Sequence, residues 1–244
     1  RLTPYRPAQR SLGECIHETA NYLRIKSGLY DIRKDPEAEY KKLVVQQVVV
    51  NEKQEEVREL LFKNRELLKE SIRSGRLLVL TFVDVVDLYE HILASWYDYS
   101  SLRGKFASTG ILEEFSMVLK NIADELDTIG FSIQSNFAYK KKYDFAPELN
   151  RLDLKIDEDG EKHKDVLILK EIMINVRDTV LRTEGLSNYF EGDFTNREMR
   201  SSRYYSRFVS HQKIDGIVFR NNLTMKSSIF RHSLRMMITC MAGY

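Results

Sequence analysis

The sequence is poor in the residues that staple or punctuate a chain. Its two cysteines, Cys15 and Cys240, exclude a disulfide framework and a four-cysteine zinc site, and their scarcity suits a reducing compartment. With only 4 prolines and 11 glycines among 244 residues, collagen-like and low-complexity classes are excluded and long segments are left free for helices. Net charge is nearly absent: 38 Lys and Arg against 36 Asp and Glu give +2, so no global field draws the chain to nucleic acid. No stretch reaches the ~18 to 20 apolar residues that cross a bilayer, and the first residues lack the pattern of a signal peptide. Walker A, G-x-G-x-x-G, G-x-S-x-G and H-E-x-x-H sequences are all missing. Ser, Cys and His form no credible triad, so an enzyme has no named nucleophile or base, and neither a cofactor nor a metal is expected.

What is present is helical periodicity, which predicts an all-α bundle of about five long helices over residues 1–193. Residues 8–30 place Leu12, Ile16, Ala20, Leu23 and Leu29 on one side. Asp35-Pro36-Glu37 is a helix start, followed by a Pro-free and Gly-free run to about Ser71 that spans about 50 Å as a helix. Its seven-residue steps, such as Leu43, Val50 and Val57, suit coiled-coil packing on a neighbour in this chain or in a second copy. Val48-Val49-Val50 is the one place where a strand competes. The third helix follows Gly75, with Leu77, Leu78, Thr81, Val85, Leu88, Ile92 and Trp96 in one stripe and Asp84, Asp87 and Asp98 away from it. A fourth runs from Ser108-Thr109 through Ile111, Phe115, Ile122, Leu126, Ile129 and Ile133 to Phe137. Residues 140–164 turn polar around Pro147 and read as an exposed connection with one short ordered piece. A fifth helix covers 165–190, built on Leu169, Ile172, Met173, Val176 and Val180, and ends by Gly192.

Three clusters resemble ligand sets. Glu14 and His17 form an E-x-x-H step, which puts both on one helical face as in di-iron bundles, but no second copy supplies the remaining ligands. Asp84, Asp87, Glu90 and His91 read as a solvated face, with His91 paired to Asp87 at i,i+4. Asp157-x-Asp159-Gly160 approaches a calcium loop, yet its first and twelfth positions would be Lys155 and Val166.

The neutral total hides a dipolar chain. From Phe194 to Arg235, nine basic residues oppose only Glu198 and Asp215, so this segment carries +7 and the remainder −5. Tyr204, Tyr205 and Phe208 interleave with its arginines, a pattern that serves single-stranded nucleic acid or anionic lipid headgroups. The apolar run at 236–244 lies directly after Lys226, Arg231 and Arg235 and reads as the start of a truncated transmembrane helix, although hydropathy alone allows a core helix. That proximity favours lipid over nucleic acid. Residues 194–235 are then a basic juxtamembrane linker, and Arg1, Arg6 and Arg10 make the other end basic too. Arg220, Lys226, Arg231, His232 and Arg235 are the candidate contact residues for lipid or for a gate. On a helix Arg231 and Arg235 stand one turn apart and can share one phosphate or carboxylate.

The stretch from Asn222 to Arg235, NLTMKSSIFRHSLR, resembles the start of the second membrane half in the YccS/YhfK group of the fusaric acid resistance protein-like (FUSC) superfamily. Ser233 stands where Ala is more usual, and both are small. Pro4-Tyr5-Arg6-Pro7-Ala8-Gln9, Tyr22 to Lys26 and Asn51 to Arg65 are similar to the beginning of that group's cytoplasmic domain, whereas residues 140–215 contribute little. The resemblance implies a bacterial inner-membrane protein with two membrane-embedded helical halves, this chain lying between them and facing the cytoplasm. It also implies export of aromatic or other organic acids. The expected partners are lipid headgroups, the chain's own membrane halves and a second copy in a homodimer. A free-standing soluble helical module for dimeric interaction or signalling is the competing expectation.

Overall fold

The computed structural model describes residues 6–62, 72–160 and 166–190, all within one unit, Arg1–Asn196. Among them are seven helices and no strand: α1 Arg6–Gly28, α2 Pro36–Phe62, α3 Ile72–Ala94, α4 Tyr99–Phe106, α5 Ile111–Ser135, α6 Phe145–Gly160 and α7 Val166–Ser187. The chain is therefore all-α, and α1, α2, α3, α5 and α7 answer to the five expected helices, except that α3 starts at Ile72 and takes in Gly75 instead of following it. Val48-Val49-Val50 is helical, because the strong helix formers on either side outweigh three β-branched residues. The end of the second helix at Ser71 falls outside the described residues, as do Gly192 and everything after Phe190.

Helix α1 is the spine. Leu12, Ile16, Ala20 and Leu23 are all 1% exposed or less, and α5 and α2 both pack along it. The α1–α5 crossing is close because glycines meet there. A Cβ on Gly13 would stand 2.7 Å from the Gly130 carbonyl oxygen, and one on Gly130 would stand 3.0 Å from that of Gly13. Helix α2 lays Leu43, Val50, Val57 and Leu61 into the core, so its seven-residue spacing is used within the chain.

Contacts fix the helix directions. Tyr22 meets Tyr89, and Lys26, four residues further along α1, meets Ile92, so α1 and α3 run the same way. Asp84 meets Tyr189, Asp87 meets Arg182 and His91 meets Asn175, so α7 runs back against α3. The first described helix thus leaves the end of the bundle toward which the last one returns.

Three expectations need correction. The segment 140–164 is no exposed connection: α6 occupies 145–160 and buries Phe145, Leu149, Leu152 and Ile156, a 4-3-4 stripe hidden in the sequence by dense surrounding charge. Pro147 is harmless in its first turn, and Asp144 Oδ1 accepts the Ala146 N–H at 3.2 Å. Trp96 leaves its stripe, because α3 ends at Ala94 and Asp98 caps α4 by accepting the Ser101 N–H; the indole is 55% exposed. Phe137 likewise falls beyond α5, which stops where Asn136 turns left-handed (φ 59°), and it is 68% exposed.

The segment after α5 is tied down by a buried acid. Glu125, 2% exposed, accepts the Lys142 and Tyr143 backbone N–H groups at 3.2 Å and the Tyr139 hydroxyl, which folds 139–143 onto α5.

Candidate functional site

The five residues expected to touch lipid or a gate, Arg220, Lys226, Arg231, His232 and Arg235, lie outside the described residues, as do the linker 194–235 and the run 236–244. The other clusters can be placed. Glu14 turns to Lys53 of α2 at 2.8 Å, whereas His17 Nδ1 meets Asp127 of α5 at 2.7 Å, so the E-x-x-H pair is drawn toward two different helices. Asp84 accepts the Tyr189 hydroxyl at 2.8 Å, and burial raises its pKa. Asp87 pairs with Arg182. His91 turns away from Asp87, its Nε2 lying 3.1 Å from the Asn175 carbonyl of α7, because α7 covers that side of α3. The Asp84 and His91 side of the cluster is therefore a helix interface, whereas Asp87 and Glu90 stay exposed as expected of a solvated face. Asp157 lies within α6 and pairs with Lys170 at 3.0 Å, so that segment is helix and not a calcium loop. No group of three or more His, Cys, Asp or Glu is placed to hold a metal among the described residues. Cys15 is fully buried, and burial pushes its thiol up to about 12, which leaves it a packing group.

Sequence reasoning missed the junction opposite the starting end of α1, where α1, α3 and α5 meet the first turn of α2 and α4. Lys26 is only 4% exposed and donates to the Ile92 carbonyl, the Ser95 carbonyl at 2.6 Å and the Ser95 hydroxyl at 3.1 Å. It thus serves carbonyls left over at the end of α3, where a cation is favoured. Burial pushes its pKa down to about 7. Arg103 of α4 does the same for α1: Nε donates to the Leu29 carbonyl at 2.9 Å and Nη2 to that of Gly28 at 3.1 Å. Ser116 of α5 reaches the Ser27 carbonyl at 2.9 Å. The signal for Lys26 was its spacing, since 12, 16, 19, 23 and 26 step by four and three along the buried face of α1.

Acids order the following turn. Asp31 accepts Arg33 Nε at 2.9 Å and Nη2 at 3.0 Å, and this pairing holds its carboxyl down to about 2. Burial works to raise the pKa of Glu39, but Lys42 and Lys34 outweigh it and the net displacement is downward. Its carboxylate sits where a Cβ on Gly28 would stand, 2.3 Å away, so glycine lets α1 end against the start of α2.

Above these caps lies an aromatic layer. Tyr30 and Tyr99 meet edge-on at 5.2 Å, Trp96 meets Tyr99 at 5.4 Å, and Tyr40 meets Trp96 at 5.3 Å. Tyr40 and Trp96 are about half exposed. From them the outer side of α2 continues through Val44, Val45 and Val48, all exposed. Charged groups at this junction are spent on helix ends and on one another. The arrangement is a set of sealed helix ends with an apolar outer surface.

No helix among the described residues is long and apolar enough to cross a membrane. No curated protein and no solved structure matches the chain. One family model matches residues 1–181, described as FUSC-like inner membrane protein yccS. The match takes in 140–181, which had contributed little to the resemblance, and stops short of 222–235, which had carried most of it. Covering well over half of the sequence, it shows that this chain belongs to the FUSC-like inner membrane protein family.

Proposed function

We propose that this chain is the cytoplasmic domain of an inner-membrane exporter, placed between two membrane-embedded halves whose assembly or regulation it serves. The family is one of transport-related membrane proteins. The observation that carries the finer reading is directional: α1 leads away from one end of the bundle and α7 leads back toward it. An insert joined to membrane helices on both sides needs this hairpin-like course. Charge supports the same reading, since the sequence is basic over residues 1–10 and again from 194 to 235. The cargo suggested by the resemblance is an aromatic or other organic acid. A strain lacking the full-length gene is expected to retain more of at least one acid from such a panel, with recovery on complementation. Equal retention of every acid with and without the gene contradicts export.

Arg231 and Arg235 act in this scheme by setting orientation through positive charge. In the full-length protein Arg235→Lys is expected to preserve membrane insertion and export. Arg235→Gln is expected to impair insertion, read by protease protection. Loss of export from correctly inserted Arg235→Lys protein would instead assign Arg235 to cargo contact, where the planar guanidinium is not replaceable. The soluble signalling module is the weaker reading, because it gives no reason for membership of an inner-membrane family.

A further inference from the structure

Helix α2 has a second face that no other described helix covers. Opposite the buried line of Leu43, Val50, Val57 and Leu61, the positions Lys41, Val45, Val48 and Glu52 recur at steps of four, three and four. At about 100° per residue these four fall within an arc of about 60°. Val45 is 66% exposed and Val48 54%, and Lys41 and Glu52 are exposed as well. Among the described residues the side chains of Lys41 and Glu52 have no ion-pair or hydrogen-bond partner, although those of nearby Lys42, Lys53 and Glu56 all do.

We propose that this face pairs with the same face of a second copy of the chain, antiparallel, about a two-fold axis level with the bond between Gln46 and Gln47. The sequence is self-complementary about that point. Reversal there sets Val45 against Val48 of the second copy and Lys41 against Glu52 of the second copy, and symmetry supplies each contact twice. A parallel pairing in register would set Lys41 on Lys41 and Glu52 on Glu52, so charge selects the antiparallel arrangement. The outer face of α7 also shows apolar residues at seven-residue steps, Leu167, Ile174 and Leu181, with Glu171 and Asp178 on one side of that line and Lys170 and Arg177 on the other, but both of these cations are taken up by Asp157 and Asp153 of α6. On the α2 seam both signs are left without a partner among the described residues. The interaction holds whether or not the chain is flanked by membrane segments, so its failure leaves the exporter reading untouched.

The test is sedimentation equilibrium of the 244-residue chain at low salt, with Lys41→Glu, Glu52→Lys and the double variant beside it. All four positions are exposed, so the fold survives these changes, and helical content by circular dichroism verifies this. The parent chain is expected to dimerise with a dissociation constant on the order of tens of micromolar, as befits a small interface. Each single variant replaces two attractive pairs by two repulsive ones and weakens the dimer about tenfold. The double variant exchanges the signs and returns to within about threefold of the parent. A chain that stays monomeric up to hundreds of micromolar, a dimer indifferent to both single changes, or weakening without rescue in the double variant each overturns the proposal.

Discussion

A lysine amine shut away from water at the end of a helix carries a penalty that depends on pH. Lys26 titrates near 7 in the folded chain because of burial, against 10.5 for an ordinary lysine. Below pH about 7 both folded and unfolded chains hold the proton and the full penalty is present; between about 7 and 10.5 only the unfolded chain holds it, so stability rises with pH across that window. The urea midpoint of the parent chain relative to Lys26→Met is therefore expected to climb from pH about 7 to pH about 10. A flat difference would mean that the amine keeps its charge on the α3 carbonyls. Glycines give a second contrast at this scale. Gly130→Ala, which drives a methyl group toward the Gly13 carbonyl and Ile16, is expected to cost about 1–3 kcal/mol in a denaturant titration. Gly185→Ala, in α7 with nothing within 4 Å of the new Cβ, is expected to gain about 0.4–1 kcal/mol. Neither the Lys26 cap nor the α1–α5 glycine contact was legible residue by residue, since each depends on a partner about seventy or more positions away. Only the place of Lys26 on an apolar stripe hinted at burial.

At the scale of elements, stripes that bury strongly apolar residues among ordinary neighbours were readable, as α5 and α1 show. Short helices were not. In α6 the buried Leu152 and Ile156 are flanked by charges that serve ion pairs: Arg151 and Lys155 reach Glu114 of α5, while Asp153 and Asp157 reach Arg177 and Lys170 of α7. These charges gave the segment the composition of a loop. Leu152→Ala, at a site with no exposure, is expected to destabilise the chain by about 2–5 kcal/mol. Leu154→Ala, two residues on and 66% exposed, should change stability by no more than about 0.5 kcal/mol, and urea titrations of the pair verify the face of α6 that is buried. The ends of α3 and α5 were misplaced for a related reason. Trp96 and Phe137 continue the apolar spacing, but a cap at Asp98 and a left-handed Asn136 end the helices first.

At the scale of the molecule, the seven helices of the described residues pack so that the first and last of them run in opposite directions along the bundle. The family and the all-α class were legible because both rest on patterns spread over many residues. The candidate contact residues from Arg220 to Arg235 were legible only as local charge, and the junction around Lys26 and Arg103 only through the place of Lys26 on its stripe, since helix ends are sealed by side chains distant in sequence. If the account is right, that junction projects into the cytoplasm. The direct measurement is labelling of Ser100→Cys, an exposed position on α4, in full-length protein whose own cysteines are replaced, using a membrane-impermeant maleimide. Labelling in inside-out inner-membrane vesicles and protection in intact spheroplasts is the predicted result; labelling in intact spheroplasts would contradict it.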